Sequence, residues 1–399
     1  MEQDITLEKA IEMLLSEANN IDEIEKVSLF EAVGRVAAID ITARMDNPPF
    51  DRSPLDGYAL ISQSTKGANL DNPVKFKIIG EECAGDFFSG TLKSNEALRI
   101  MTGAAIPKGA DCVIRQEDVE TQNNELFVSY ELNHHENYCF AGEDIKTGDV
   151  IVQKNQLLNA ACVGVFASQG FTDIEVYKKV RIAIASTGDE LVMPGSELKQ
   201  GKIYNSNLYT LAARLKELGF EAEVFGILPD DVNDIVNNIL PRCDDFDLLI
   251  TTGGVSVGKK DIMHEVVDSL GRKIFWRVMM KPGAPVLTYK SGTMLGIALS
   301  GNPFAAFATF ELLVRPLLSK LSRRDLMYKR IEAKLMSEFP KESKGRRVIR
   351  AHYSNGEVYL PKQHASGSLF SASKCNAFVE IKAGTGKLQI GSKVELILL

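Results

Sequence analysis

The chain is poor in cysteine and histidine, the usual ligands of zinc clusters. It has one tryptophan, five histidines and six cysteines in 399 residues, and no apolar run near the ~20 residues that cross a bilayer. Cys83, Cys112, Cys139, Cys162, Cys243 and Cys375 form no CxxC pair and no Cys/His cluster at zinc-ligand spacing, so free thiols in a reducing compartment are expected. The opening MEQDITLEKAIEML lacks a basic stretch followed by an apolar one, so it does not read as a secretory or transit segment, and a cytoplasmic protein is expected. Positive charge is in deficit, with 46 Lys and Arg against 53 Asp and Glu for a net charge of −7. That balance argues against a protein whose main work is neutralising nucleic-acid phosphates, and neither nucleic acid nor membrane is expected as a partner. What is present is an ordinary globular composition, 45% hydrophobic and 25% charged, in a chain long enough for roughly two to four domains.

The patterning changes several times along the chain. Ile5, Leu7, Ala10, Ile11, Leu14 and Leu15 recur near helical spacing, with Asp4 placed to cap. MDNPPFDRSPLDGYAL (45–60) is too rich in proline and aspartate for a regular element and reads as a shaped loop at a domain crossing. From about 72 to 150, short apolar runs punctuated by Gly, Asp and Asn predict a small β module, and LLNAACVGVFASQGF predicts a helix closing on Gly170. After Val180, apolar runs alternate with amphipathic helices to about Leu321, the pattern of a doubly wound α/β domain with a largely parallel sheet. Residues 320–350 carry eleven Lys and Arg against four Asp and Glu, and short strands follow to the end. This segment reads either as a solvated connector or as an anion-binding run, ahead of a C-terminal β-barrel.

Three turns of the α/β domain follow apolar strands, where open α/β sheets bind ligands. They are STGDEL (Ser186–Leu191), PDD (229–231) and TTGGVSVGKKD (251–261). Gly253, Gly254 and Gly258 let backbone N–H groups approach an anion and Ser256 adds a hydroxyl, although Gly258-Lys259-Lys260-Asp261 departs from a Walker A loop. Glu190, Asp230 and Asp261 contribute one carboxylate per turn. Facing a phosphate they would repel it unless a divalent ion such as Mg²⁺ intervened; the alternative is helix capping, for which Asp230 beside Asp231 is a candidate. Arg277 and Lys281 in FWRVMMKPGAPV are fixed cations suited to an oxyanion, and SGNP (300–303) makes another helix entry, with Asn302 at the cap.

PLDGYAL, IMTGAAIPKGADCVIRQED, AGEDI, STGDEL, NSN, TTGGVSVGKKD, FWRVMMKPGAP and SGNP occur in one order over nearly the whole chain. Together they resemble the molybdopterin molybdenumtransferase family, which includes MoeA and the E domain of gephyrin. The resemblance implies a multidomain α/β plus β fold: a split N-terminal domain (1–43 and 150–179), an inserted β-rich domain (44–149), a molybdopterin-binding α/β domain (180–322) and a C-terminal β-barrel (323–399). It implies insertion of molybdate into adenylylated molybdopterin with release of AMP, dependent on Mg²⁺ held by Glu190, Asp230 and Asp261. The implied catalytic set is Asp56, Thr102, Asp144, Glu190, Asp230, Asp261, Arg277 and Lys281. Ligand contacts are expected from Thr187, Gly188, Gly253, Gly254, Ser256, Gly258, Lys281, Ser300, Gly301 and Asn302. The implied partners are a second copy of the chain, the pterin and the oxyanion, with the molybdopterin adenylyltransferase and molybdoenzyme maturation proteins as neighbours in the sequence of reactions. The chain departs from the family pattern at Cys139, Arg277, Ala284, Ser300 and Ala305. These departures keep two alternatives open: a paralogue with an altered oxyanion site serving tungstate, or a non-catalytic molybdopterin-binding scaffold or carrier.

Overall fold

In a computed structural model, residues 2–255 and 262–399 are described. They form two compact units, Met1–Glu25 with Tyr177–Leu399, and Lys26–Val176. The first helix, α1 (Leu7–Glu17), buries Leu7, Ala10 and Leu14 on one face. Its cap is Thr6, whose side chain accepts from the Lys9 N–H at 3.2 Å. Asp4, the expected cap, lies in the strand Glu2–Ile5 instead, with φ +49°, and that strand pairs in parallel with Arg272–Val278. Thr6 wins because its extended backbone sets the hydroxyl over the first turn, which Asp4 is too far upstream to reach.

The 26–176 unit contains a six-stranded sheet in the order Cys112–Arg115, Gly57–Leu60, Glu96–Ile100, Val74–Glu82, Glu125–Val128, Glu120–Gln122. Alternate residues such as Tyr58 and Leu60, or Cys112 and Ile114, pack on one face with Phe76 and Leu126. The unit also holds α2 (Ala160–Ser168), which is capped by Asn159 and followed by Gly170 at φ +71°.

The larger unit is built on a seven-stranded sheet in the order Glu2–Ile5, Arg272–Val278, Val286–Ser291, Met294–Leu299, Leu248–Thr252, Ile182–Thr187, Ala222–Leu228. Four of its neighbouring pairs are parallel and two antiparallel. Alternation within one strand divides the core: Ile182 and Ile184 pack with α1 and α3 (Ser206–Glu217), while Ala183 and Ala185 pack with α4 (Val232–Ile239) and α5 (Met263–Leu270). The small alanines let the second helical layer approach the sheet closely. α6 (Pro303–Thr309) and α7 (Arg315–Ser322) are joined by a π-turn at Phe310–Val314. Pro316 just beyond it has no N–H for the regular ladder. Glu311 in that turn is fully buried and paired with Arg214 at 2.6 Å and Arg315 at 3.0 Å.

The strands Arg330–Leu335, Arg346–Ser354, Glu357–Tyr359, Ala377–Ile381 and Lys393–Leu398 close into a five-stranded barrel. The basic run is therefore not a solvated connector. Two of its stretches are barrel strands, and Arg330 and Arg346 both pair with Glu380, which is 5% exposed. A two-residue strand, Met280–Lys281, joins the barrel by pairing in parallel with Arg346–Arg347. Among the described residues, no helix is long and apolar enough to cross a membrane.

Candidate active site

The carboxyl ends of the parallel strands carry the turns singled out from the sequence, and these turns meet in one cleft of about 1970 Å³ within the larger unit. Thr187, Gly188, Glu190, Asp230, Gly253, Gly254, Lys281, Ser300, Gly301 and Asn302 all line it. Gly253 is required at its position: with φ +100°, an added Cβ would stand 2.2 Å from the Thr187 carbonyl oxygen. The two loops touch here, and the Thr187 Oγ1 between them is buried without a hydrogen-bond partner.

The carboxylates are held by local chemistry. The Glu190 side chain folds back over Gly188, so that a Cβ on that glycine would meet Oε2 at 2.7 Å. The Asp230 Oδ2 accepts from the Asp189 N–H at 3.3 Å, and the Asp189 Oδ1 accepts from the Asp230 N–H at 3.2 Å, a reciprocal clasp between two turns. The helix cap is the neighbour, Asp231, which accepts from the Asp234 N–H at 3.0 Å, while Asp230 lines the cleft. Asn302 occupies the cap position of α6, but its side chain makes no capping hydrogen bond. Its N–H donates to the Ser300 Oγ at 3.3 Å.

The facing wall comes from the barrel. Lys341, Arg347, Arg350, Lys362 and His364 line the same cleft, and strand register sets Lys281 opposite Arg347. Arg350 is 1% exposed and its Cζ stands 4.2 Å over the Phe304 ring. Its Nη2 donates to the carbonyls of Ala365 (2.7 Å) and Gln363 (3.3 Å), while Nε and Nη1 have no hydrogen-bond partner. Burial holds its pKa below the ordinary guanidinium value. Burial also lowers the pKa of His364, with Arg350 and Lys341 adding to the effect. A buried guanidinium with unused donors, among further cations, is chemistry for an anion. The anion-binding alternative for the basic run at 320–350 agrees with this wall, but the sequence singles out none of Arg350, Lys362 and His364.

Other expected residues lie elsewhere. Arg277, at φ +69°, forms an ion pair with Asp4 at 3.1 Å beside Trp276 and is not in the cleft lining. Ser256, Gly258 and Asp261 fall outside the described residues. Asp56, Thr102 and Asp144 belong to the 26–176 unit. There the Asp56 Oδ1 accepts from the N–H and the hydroxyl of Thr102, both at 2.7 Å, which lowers its pKa. Asp144 accepts from Asn47 Nδ2 at 3.0 Å. Cys139 sits across a bridge from Arg52, whose guanidinium stands beside its thiol.

An acidic floor at the carboxyl ends of an open α/β sheet, faced by cations on a second domain, defines an enzyme cleft for a phosphorylated or oxyanionic substrate. Residues 5–170 match the MoeA N-terminal region (domain I and II), 183–320 the probable molybdopterin binding domain and 332–399 the MoeA C-terminal region (domain IV). The molybdopterin molybdenumtransferases of Staphylococcus epidermidis and Staphylococcus aureus are each 33% identical over 401 residues, covering 99% of this chain and 95% of theirs. A crystal structure of the molybdopterin biosynthesis MoeA protein of Pyrococcus horikoshii is similar with a TM-score of 0.83 at 30% identity, covering 99% of this chain and 100% of that one. The chain belongs to the molybdopterin molybdenumtransferase family, the MoeA-type enzymes of molybdenum cofactor biosynthesis.

Proposed function

We propose that the cleft inserts molybdate into adenylylated molybdopterin, with Mg²⁺ required and AMP released. The supporting observation is the division of charge within one cleft, Glu190 and Asp230 on the floor and Lys281, Arg347 and Arg350 on the facing side. Glu190 and Asp230 line the same space and are oxygen donors of the kind Mg²⁺ takes, while no group of three side chains placed to hold a metal ion occurs among the described residues. Asp261 would be the third donor. When bound, the ion would neutralise pyrophosphate charge as the adenylyl bond is hydrolysed. Gly253 and Gly254 would bring backbone close to the phosphates, and Lys281 with Arg350 would hold the oxyanion.

A second reading has its own support: Ala284, Ser300 and Ala305, three of the departures, lie in the cleft lining. On that reading the oxyanion site is altered and takes tungstate, or the protein binds molybdopterin and hands it on. Purified protein incubated with adenylylated molybdopterin, Mg²⁺ and each oxyanion tests the proposal. AMP release and cofactor formation with molybdate support insertion, tungstate-selective turnover supports the paralogue, and binding without turnover supports the carrier. We further propose the four-domain division given above and a homodimer in which Asp56, Thr102 and Asp144 act; sedimentation of an active monomer would remove the dimer.

A further inference from the structure

The cleft lining mixes polar and apolar side chains, and at one side the cleft carries an exposed aromatic ring next to an exposed aliphatic side chain. Ile203 and Tyr204 both face it, and they are 56% and 43% exposed. Large apolar side chains in such positions lose solvation free energy unless something covers them. The backbone there is tied down on both sides. The Ile203 N–H donates to the Glu190 carbonyl and the Asn205 N–H to the Val192 carbonyl, each at 2.9 Å. The ring itself is steered by the Tyr204 hydroxyl, which donates to the Ser196 carbonyl at 3.0 Å. An aromatic ring fixed at both ends pays little entropy to receive a flat partner.

We propose that Tyr204, flanked by Ile203, is the stacking platform for a fused, planar heterocycle of the substrate. This rests on the function proposed above, in which the substrate carries two such rings, the pterin and the adenine. The platform sits beside the acidic turn, because the Ile203 N–H donates to the backbone carbonyl of Glu190, a residue that lines the same cleft. A ring attached to a phosphate held near Glu190 would share this side of the cleft with Tyr204. The hydroxyl orients the ring, so stacking needs the aromatic face and not the oxygen.

The test compares wild type with Tyr204→Ala, Tyr204→Leu and Tyr204→Phe, each first checked by thermal melting. Pterin-6-carboxylate and AMP are titrated separately by fluorescence and calorimetry. One of the two probes should lose about tenfold in affinity in the Ala and Leu variants, and stay within about threefold of wild type in Phe. The probe affected identifies the ring that stacks. Equal binding of both probes by wild type and Tyr204→Ala overturns the platform and leaves the function standing. A wild type that binds neither probe overturns both. Affinity that follows side-chain volume, with Leu equal to Phe, overturns stacking in favour of simple apolar contact.

Discussion

Replacing Arg350 with methionine should separate anion recognition from folding. The guanidinium makes two hydrogen bonds to neutral carbonyls, at 2.7 and 3.3 Å, and leaves Nε and Nη1 buried without partners. Losing the two bonds costs about 0.5–1.5 kcal/mol each, and removing two orphaned donors returns a comparable amount of desolvation free energy. Methionine keeps apolar contact with Phe304, over which the guanidinium now lies. Net stability should therefore change by less than about 1 kcal/mol, a shift of about 2–4 °C or less in melting temperature. A charge-assisted bond to an oxyanion is worth about 1.5–3 kcal/mol, so the molybdate concentration for half-maximal AMP release should rise about 10- to 150-fold. The assay is a molybdate titration of AMP release at fixed Mg²⁺ and adenylylated molybdopterin, paired with a melting curve. An unchanged titration would show that the free donors do not meet the oxyanion, and a drop well beyond 4 °C would show that Arg350 is first a structural residue.

Glu190→Gln should raise the Mg²⁺ requirement at least tenfold with little change in melting temperature, because the side chain is exposed; a Mg²⁺ titration of AMP release checks this. Gly253→Ala should lower stability by about 2–4 kcal/mol, since its φ of +100° and a 2.2 Å approach to the Thr187 carbonyl leave no room for a methyl group; denaturant unfolding checks it. Ala305→Ser, at a lining position 3% exposed, should tighten the molybdate response about fivefold if the new hydroxyl points into the cleft. His364 has its pKa lowered by burial first and by Arg350 and Lys341 next, so its neutral form is favoured in the folded chain. Stability from this group is present above its ordinary value and is lost as pH falls through about 6.5 toward the lowered value. A bound oxyanion offsets the two cations, so molybdate binding near pH 6 should take up protons, measured by calorimetry in two buffers, and His364→Gln should abolish the uptake.

The α/β domain was legible because its strands are continuous apolar runs and its helices amphipathic, and the turns between them kept their glycines and carboxylates in short motifs. Those turns are local. Their convergence follows from a general rule of open sheets, so Glu190, Asp230, Gly253 and Lys281 could be grouped before any coordinates. Arg350 could not be grouped with them, because its place depends on barrel closure and on the pairing of Met280–Lys281 with Arg346–Arg347, contacts that no periodicity encodes. The same limit governs Arg277. Its type and its distance from Lys281 suited an oxyanion, but a left-handed backbone and the ion pair with Asp4, more than 270 positions away in the chain, give it another partner. Asp4 could not be assigned to that pair from sequence, since nothing local distinguishes an edge strand at residues 2–5 from the lead-in to a helix.

The strand pairing between Met280–Lys281 and Arg346–Arg347 has a consequence for how the cleft comes into being. Glu190 and Asp230 stand at the α/β sheet, whereas Arg347 and Arg350 belong to barrel strands that follow it in the chain and are therefore synthesised later. During synthesis the chain thus passes through a stage at which the acidic turns and Lys281 are present without the barrel arginines. Arg347 joins Lys281 only when Arg346–Arg347 pairs with Met280–Lys281. On the function proposed above, the order of translation completes the cationic side of the cleft after its acidic side.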